Sequence, residues 1–230
     1  MSISTGTVLS VSIGLATAVP YTDNEGGMTG IGKRPVTGPV QVSVPGPKGT
    51  AGGGVEGDAI CDLRFHGGPD RAVYAYAREE LDDWERVLDR PLADGLFGEN
   101  LTTLGLDVEG ALVGERWRVG GALLEVTGCR IPCRTFAGAV GETSWVRRFT
   151  QKGASGALLR VIEPGAVEAG DPVTVEHRPG HDISVSLLFR AATLERGLLP
   201  RTLAAAEWME SDLLEVARAY TAKYGNAPGH

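Results

Sequence analysis

The chain has 230 residues, of which 42% are hydrophobic, 33 are glycine and 13 are proline, and its formal net charge is −7. This length suits one large domain or one domain with an appendage, and the many glycines and prolines favour short strands and tight turns over a helical bundle. The negative charge argues against a general nucleic-acid-binding protein, which is usually basic, but it leaves room for a small local anion site.

The cysteine content and the apolar segments indicate the compartment. Three cysteines, one of them far from the other two, do not form a disulfide framework, so we expect a reducing, cytoplasmic environment. No stretch approaches about 18 consecutive apolar residues, so we expect no membrane-spanning helix. Ser, Thr and Gly interrupt the apolar residues of Met1–Pro20, and no basic segment accompanies them. We therefore expect a first strand there rather than a secretion signal.

The first half of the chain alternates short strands with glycine-rich loops. Apolar residues alternate with serine in Thr7–Ile13, which predicts a half-buried strand. Six glycines in Gly46–Gly57 exclude a helix there and predict a flexible loop. Leu81, Trp84 and Leu88 share one face of a predicted helix. The remaining predictions are a loop over Tyr21–Lys33, strands over Val40–Val44 and Val73–Tyr76, and this helix over Glu79–Leu88.

The second half contains more strands and then changes character near Arg178–His181. The predicted strands are Asn100–Leu104, Arg116–Val119, Ala122–Thr127, Ala157–Ile162 and Pro172–Glu176. Strands at this spacing predict a sandwich or a barrel. Three helices are predicted after them, over Ile183–Glu195, Leu203–Met209 and Ser211–Tyr220, with Ser211 as the N-cap of the last. We therefore expect a mainly β protein, with a β domain over residues 1–178 and a small helical unit over residues 179–230.

The run Cys129–Arg134 places Cys133 between Arg130 and Arg134, directly after a strand-like segment. Cations lower the pKa of a nearby thiol, and the thiolate is the form that attacks substrates or binds metals. Pro132 holds the backbone extended and supplies no N–H, which predicts a loop at the end of the strand. The alternative is an inert, apolar cysteine in a barrel wall, and the local sequence leaves both interpretations open.

Two further groups of polar residues exceed what a barrel needs for folding. Lys33 and Arg34 could hold a phosphate through a point charge and a forked donor, or they could simply be solvated in a loop. His66 and Gly67 lie in a tight turn with Arg71. The glycines permit close approach of a ligand, and the histidine could donate to an anion. The alternative is a turn in which the histidine has no role.

Two more candidates stand apart in the sequence. Asn100 would present two donors and an acceptor to the edge of a heterocycle, or it could be a turn-forming residue. Lys152, before Gly153, is a further cation downstream of the Cys133 run. No metalloprotease histidine pair, phosphate loop or Gly-x-Ser-x-Gly turn is present. A self-contained zinc hydrolase is not expected, since the histidines are not spaced as a metal cluster; they are His66, His177, His181 and His230.

Six segments carry a family resemblance in their order along the chain. They are Gly32–Val36, Gly57–Asp58, His66–Val73, Phe97–Leu101, Arg130–Cys133 and Gly165–Asp171. Together they resemble the MOSC family, the domain named after the C-terminal part of molybdenum cofactor sulfurases, over about residues 7 to 177. The chain is most similar to the stand-alone bacterial YiiM-like members, which also carry a small three-helix domain after the MOSC domain.

The resemblance implies a closed, mostly antiparallel MOSC-type β-barrel with a few helices. It also implies binding of the molybdenum cofactor (molybdopterin), a pterin dithiolene with a terminal phosphate. The implied activity is reduction of N-hydroxylated bases or amines. Electrons would come from a separate reductase, because the sequence has no flavin, haem or iron–sulfur motif. Cys133 would be the metal ligand and a catalytic residue, since a soft thiolate suits a metal already held by sulfur.

The resemblance also suggests roles for the other polar residues. Arg130 and Arg134 would offset negative charge on the cofactor, and Asn100 would contact the pterin or orient the substrate as a catalytic residue. The remaining candidates for cofactor binding are Lys33, Arg34, His66, Gly67, Arg71 and Lys152. Close relatives usually carry proline at the position of Cys129, and we expect this cysteine to be inert rather than paired with Cys133.

Two other functions remain open from the sequence. Cys133 could carry a persulfide and deliver sulfur to a metal centre, or the protein could bind a pterin without catalysis. The first would need an outside sulfur source, because the pyridoxal-phosphate domain of the sulfurases is absent. We expect a small-molecule substrate, no nucleic acid and no membrane among the partners, and the sequence is compatible with a homodimer.

Overall fold

The structure is a computed structural model that describes residues 5–50 and 52–225. The predictions that involve Met1–Ser4, Ala51 and His230 lie outside the described residues. None of the described helices is both long and apolar enough to cross a membrane.

Twelve short strands among the described residues carry most of the architecture. In chain order they are β1 (Thr5–Ile13), β2 (Thr17–Ala18), β3 (Met28–Thr29), β4 (Arg34–Pro35), β5 (Val40–Val42), β6 (Val73–Ala77), β7 (Leu101–Leu104), β8 (Arg116–Val119), β9 (Ala122–Cys129), β10 (Ala157–Glu163), β11 (Gly165–Val167) and β12 (Pro172–His177).

Seven of these strands close into a barrel in the order β1-β12-β8-β9-β10-β6-β7 and back to β1. Their pairing is antiparallel except between β6 and β7, which run parallel. β4 pairs with the end of β1, and two separate pairs, β2–β3 and β5–β11, lie beside the barrel. The prediction of a closed, mostly antiparallel barrel is confirmed.

Six α-helices accompany the barrel in the part of the chain that the structure describes. They are α1 (Arg78–Leu88), α2 (Arg134–Val140), α3 (Trp145–Lys152), α4 (Val185–Thr193), α5 (Leu199–Thr202) and α6 (Ser211–Tyr224). Short 3₁₀ turns lie at Pro69–Arg71, Arg196–Leu198 and Leu203–Ala205. α1 buries Leu81 and Trp84, two of the three residues expected on its inner face. Neither the short α2, which follows Cys133 directly, nor α3 after it was predicted.

An aromatic cluster fixes α2 and α3 against the barrel. The Phe136 ring of α2 packs edge-to-face on Phe97 and on Phe149 of α3, with centroid distances of 5.1 and 5.0 Å. Trp145 approaches Phe97 at 5.4 Å. Such pairs add to the stability gained from burial of the rings. Because all four side chains are fully buried, the start of α2, where Cys133 lies, has a fixed position.

The helical tail shares its core with the barrel. The main hydrophobic cluster includes Ile183, Leu188, Met209 and Leu213 together with the barrel residues. The division at residue 178 remains a prediction, since this shared packing does not decide whether the two parts fold separately. The second tail helix was expected over residues 203–209, whereas the structure places helical turns over residues 199–205.

The prediction of Ser211 as the N-cap of α6 is wrong. Glu210 is the N-cap, and its side chain accepts hydrogen bonds from the backbone N–H groups of Asp212 and Leu213 at 3.0 and 3.1 Å. A carboxylate satisfies two free donors at once and also interacts favourably with the positive end of the helix.

Candidate functional site

A cavity of about 510 Å³ lies beside the C-terminal end of β9. Its size falls within the usual range for small-molecule sites, and its walls are mostly apolar. We call residues 22–33 and 58–67 the loop wall and residues 210–216 the helix wall. The run 129–135 also lines the cavity, and Arg71, Ala72, Tyr74, Gly98, Asn100 and Leu158 complete the lining.

Most of the residues predicted for the site come together in this cavity. Those that line it are Lys33, His66, Gly67, Arg71, Asn100, Arg130 and Cys133. The structure does not bring Arg34 or Lys152 to it. Arg34 is exposed on β4, and the Lys152 ammonium is 2.8 Å from a carboxylate oxygen of Glu80, on α1.

Cys133 lies at the cavity surface as the N-cap of α2. Its backbone is extended, with φ −128° and ψ 175°, and its carbonyl accepts the first hydrogen bond of the helix from Ala137 N–H at 3.0 Å. The thiol makes no capping hydrogen bond and no disulfide. It is half-buried, so the sulfur is available to a ligand in the cavity.

Arg130 presents a fixed cation to the cavity. Its guanidinium carbon is 5.0 Å from the ring centroid of Tyr74 and 4.5 Å from that of Phe136. Gly98 allows this approach, because a Cβ there would lie 3.2 Å from Arg130 Nη1. Within the described residues Arg130 has no carboxylate partner, and its buried Nε makes no hydrogen bond. The outward-facing Arg134 instead pairs with Asp23 at 2.8 Å.

Lys33 is held by a buried carboxylate. Its ammonium contacts both oxygens of Asp58, and only 7% and 2% of the two side chains are exposed. Asp58 also accepts from Gly14 N–H at 2.7 Å and from the Asn100 amide at 3.0 Å. Burial lowers the pKa of Lys33, although Asp58 opposes the shift. An anion bound at Lys33 would therefore share the ammonium with Asp58.

Asn100 is engaged within the protein. Its amide donates to Ser12 O at 3.2 Å and to Asp58, and its side-chain oxygen accepts from Tyr74 N–H at 3.2 Å. These bonds join β1, β6 and the loop wall at the start of β7. The side chain lines the cavity, but its polar atoms are already used, so its visible action is to position Asp58.

Arg71 lies on the side of the cavity that faces α6, whereas His66 belongs to the loop wall. The Arg71 guanidinium donates to Glu210 and Asp212, each at 2.8 Å. His66 lines the cavity and is exposed. The protein around its imidazole, together with the charges of Arg130 and Arg71, lowers its pKa. At neutral pH His66 is therefore an uncharged donor and acceptor rather than a cation.

Four residues of the site were not anticipated from the sequence: Asp58, Cys61, Glu210 and Asp212. Asp58 belongs to one of the segments that carry the family resemblance, which was the available signal. Burial, with a further contribution from Asp58, raises the pKa of the Cys61 thiol. Nothing in the sequence pattern placed the start of α6 beside the barrel.

Among the described residues, no three His, Cys, Asp or Glu side chains are grouped to hold a metal ion by themselves.

Cys129 is the last residue of β9 and is buried in the core. Burial raises the pKa of its thiol well above the usual value, and Glu210 and Glu109 add to the shift. A buried thiol with a high pKa is a poor nucleophile. Cys129 and Cys133 are both free thiols in the structure.

Comparison with known proteins places the chain among relatives. The sequence profile of the MOSC domain matches residues 62–174. The chain is 36% identical over 183 residues to the protein YflK of Bacillus subtilis, a match that covers 80% of this chain and 79% of YflK. It is 30% identical over 162 residues to a protein of Gibberella moniliformis named reductase; this match covers 67% of the chain but only 28% of the longer relative.

Solved structures show the same architecture. The crystal structure of YiiM from Geobacillus stearothermophilus superposes with a TM-score of 0.74 at 26% identity, covering 94% of this chain and 98% of YiiM. YiiM from Escherichia coli superposes with a TM-score of 0.70 at 24% identity, covering 97% of this chain and 94% of that protein. The sequence match to YflK and the domain match over the barrel agree on one assignment: this chain is a member of the MOSC domain family.

Proposed function

We propose that the protein binds the molybdenum cofactor in this cavity, with the Cys133 sulfur as the metal ligand, and reduces N-hydroxylated bases or amines. The observation that carries the proposal is the convergence on one small-molecule cavity of a free thiol, Cys133, and a cation, Arg130, that has no carboxylate partner within residues 5–50 and 52–225. Membership of the MOSC family and the relative named reductase support it.

The residues at the cavity fit such a group. A thiolate is a soft ligand of the kind that molybdenum already held by sulfur accepts. The orphaned Nε of Arg130 can donate to an anionic group, and the aromatic rings beside it hold its charge in place. When bound, the cofactor supplies two-electron redox chemistry, and the protein supplies position and electrostatics.

The other polar side chains have distinct tasks. Uncharged His66 can donate one hydrogen bond and accept another at the cavity surface. Asn100 keeps Asp58 in place, and Asp58 keeps the Lys33 ammonium at the cavity wall. Arg71 is neutralised by two carboxylates, so its main contribution is to hold the helix wall. Arg34 and Lys152 remain untested candidates that lie away from the cavity lining.

Electrons have to enter from outside. Reduction of an N–OH group to N–H consumes two electrons and two protons and releases water. We propose a separate reductase as the electron donor. The cavity is open at the surface beside Phe65 and Ile131, which are 60% and 44% exposed, so small substrates can enter there.

The test is the molybdenum content of the wild-type protein and of Cys133→Ser, both purified from a host that makes the cofactor. We expect near-stoichiometric metal in the wild type and its loss in the variant. Cys61→Ser is the matched control, because it removes a thiol from the loop wall of the same cavity, and we expect it to retain metal.

Turnover of an N-hydroxylated base with an artificial electron donor then separates a reductase from a protein that only stores cofactor. Absence of metal and pterin from wild-type protein, in a host that loads a control molybdoenzyme, would overturn the proposal. The next measurement would then be the mass of Cys133, to detect a persulfide and so a sulfur carrier.

A further inference from the structure

Part of the cavity wall comes from the helical tail, outside the segment matched by the MOSC domain profile. Leu213 and Val216, one turn apart on α6, line the cavity together with Leu158 of β10. Residues three apart on a helix share a face, so the two side chains act together. Leu213 is buried, whereas Val216 and Leu158 are half-buried and accessible from the cavity.

This apolar patch has a fixed position. Gly128 of β9, the register partner of Leu158, lies against α6, since a Cβ there would be 3.6 Å from Leu213 Cδ1. Val216 packs on its other side against a small cluster that includes Leu199 and Ala217. The patch is therefore held by barrel and tail together, and Gly128, on which it packs, directly precedes Cys129 and the run that leads to Cys133.

The charges near the patch are already balanced. Glu210 caps α6 and pairs with Arg71, and Asp212 pairs with Arg71 and Lys48. A neutral ligand therefore meets no unpaired charge on the helix wall. An anionic group placed against the helix wall would meet two carboxylates whose cations are already engaged, although Arg130 elsewhere in the cavity could still attract it.

We propose that Leu158, Leu213 and Val216 form a subsite for the uncharged aromatic body of the substrate, so that the helical tail selects which compounds the cavity accepts. The inference rests on the proposed function, because it assumes that the reacting N–OH group lies toward Cys133. The subsite favours neutral rings over small aliphatic compounds through apolar burial, and over anionic rings through charge.

The test measures binding to the full-length protein without metal. The probes are N-phenylhydroxylamine, N-methylhydroxylamine and 4-(hydroxyamino)benzoate, titrated anaerobically by methyl NMR. We expect the phenyl compound to bind at least about tenfold more tightly than N-methylhydroxylamine, since a ring buries several more carbons than a methyl group. It should also bind more tightly than 4-(hydroxyamino)benzoate, whose carboxylate would face Glu210 and Asp212 when its N–OH group lies toward Cys133. The Val216 and Leu213 methyl signals should shift with the phenyl compound.

Two substitutions of Val216 distinguish the effect of side-chain shape on binding from the effect of side-chain polarity. Val216→Ala should weaken binding of the phenyl compound about three- to tenfold, because two methyl groups leave the subsite. Val216→Thr keeps the shape and adds a hydroxyl, and we expect a similar loss of affinity with little effect on folding. Val146→Ala is the matched control, since this valine lies partly exposed on α3 and does not line the cavity.

The outcomes distinguish this inference from the proposed function. An equal affinity for the three probes, or phenyl binding that neither Val216 variant alters, would overturn the subsite even in a protein that carries molybdenum and turns over. Dependence on Val216 in a chain that never acquires the metal would leave the subsite standing and remove the reductase proposal alone.

Discussion

The two walls of the cavity are fastened to the barrel by contacts of different burial. On the helix wall, Glu210 N–H donates to Thr127 O at 2.9 Å, and the Glu210 carboxylate, only 2% exposed, pairs with Arg71. Leu213 is buried in the barrel core. Buried, mutually satisfied contacts of this kind open only when much of the surrounding structure opens with them.

The loop wall is fastened firmly at its base and weakly at its tip. The base is the buried pair of Lys33 and Asp58, whereas the tip is held by Asp23 and Arg134, whose side chains are 62% and 67% exposed. An exposed pair contributes about 0–1 kcal/mol. The cavity therefore has a helix wall fastened by buried contacts at Glu210 and Leu213, and a loop wall that can loosen at its outer end.

The largest expected effect comes from removing the carboxylate at the base of the loop wall. Asp58→Asn leaves the buried Lys33 ammonium without a counter-ion and places an amide donor against the donors of Lys33 or Asn100. Breaking a buried pair from one side costs about 3–5 kcal/mol. We expect this loss in the free energy of unfolding, measured by urea denaturation at neutral pH.

The same substitution at the tip provides the control. Asp23→Asn removes an exposed partner from Arg134, and we expect it to cost less than about 1 kcal/mol. The double variant Lys33→Met/Asp58→Asn should recover most of the stability, because no unpaired charge remains. Equal losses at Asp58 and Asp23 would contradict the distinction between base and tip.

Acidity should act in opposite directions on the buried Glu99, behind the cavity lining, and on the helix wall. Glu99, fully buried beside Asn100, has a pKa raised to about 7 by burial, against an unfolded value of 4.5. The folded state therefore binds more protons between these values, and stability falls as pH rises from 4.5 through 7. Glu99→Gln should match the wild type near pH 5 and exceed it at pH 8 by at most about 3 kcal/mol.

On the helix wall, the change of stability with pH has the opposite sign. Burial raises the pKa of Asp212, but the Lys48 hydrogen bond and the charges of Arg71 and Lys48 outweigh it and leave the pKa below 3.8. The stability that ionised Asp212 contributes is present above pH 3.8 and is lost as the pH falls below that value. Burial also raises the pKa of Glu109 to about 7. The Glu99→Gln variant should therefore still lose some stability as pH rises, though less than the wild type does. A Glu99→Gln curve parallel to wild type from pH 5 to 8 would contradict the assignment.

The barrel could be predicted because its signals are local. The strand over Arg116–Val119 follows from alternation alone, and the structure has the same bounds. α2 could not be found in this way, because its seven residues, RTFAGAV, contain a glycine and no complete apolar stripe. What stabilises α2 is the contact of Phe136 with Phe97, a residue distant in sequence.

At the site, likewise, the functional residues could be predicted from the sequence, but the residues that hold them in place could not. Patterns and the family resemblance led to Cys133, Arg130 and Lys33, and all three line the cavity. They did not show that Lys33 is held by Asp58, or that α6 closes one side. Such partners depend on long-range packing, and Glu210 lies 139 residues from Arg71.

The smallest of these effects tests how tightly the helix wall lies on the barrel. A Cβ at Gly128 would be 3.1 Å from Glu210 Cγ, closer than ordinary contact. Gly128→Ala should therefore push on α6 and cost about 1–3 kcal/mol in the free energy of unfolding, the usual range for overpacking. It should also weaken binding of N-phenylhydroxylamine, because Leu213 moves with Glu210.

Gly32→Ala supplies the matched substitution on the loop wall. No atom lies within 4 Å of a Cβ built there, and its φ lies outside the left-handed region, so the added methyl group meets neither a clash nor backbone strain. We expect little change in stability or a slight gain, since alanine restricts the unfolded chain more than glycine does. Similar stability and similar probe affinity for both variants would mean that the helix wall yields as easily as the loop wall. The position of Val216 would then not be fixed by the barrel.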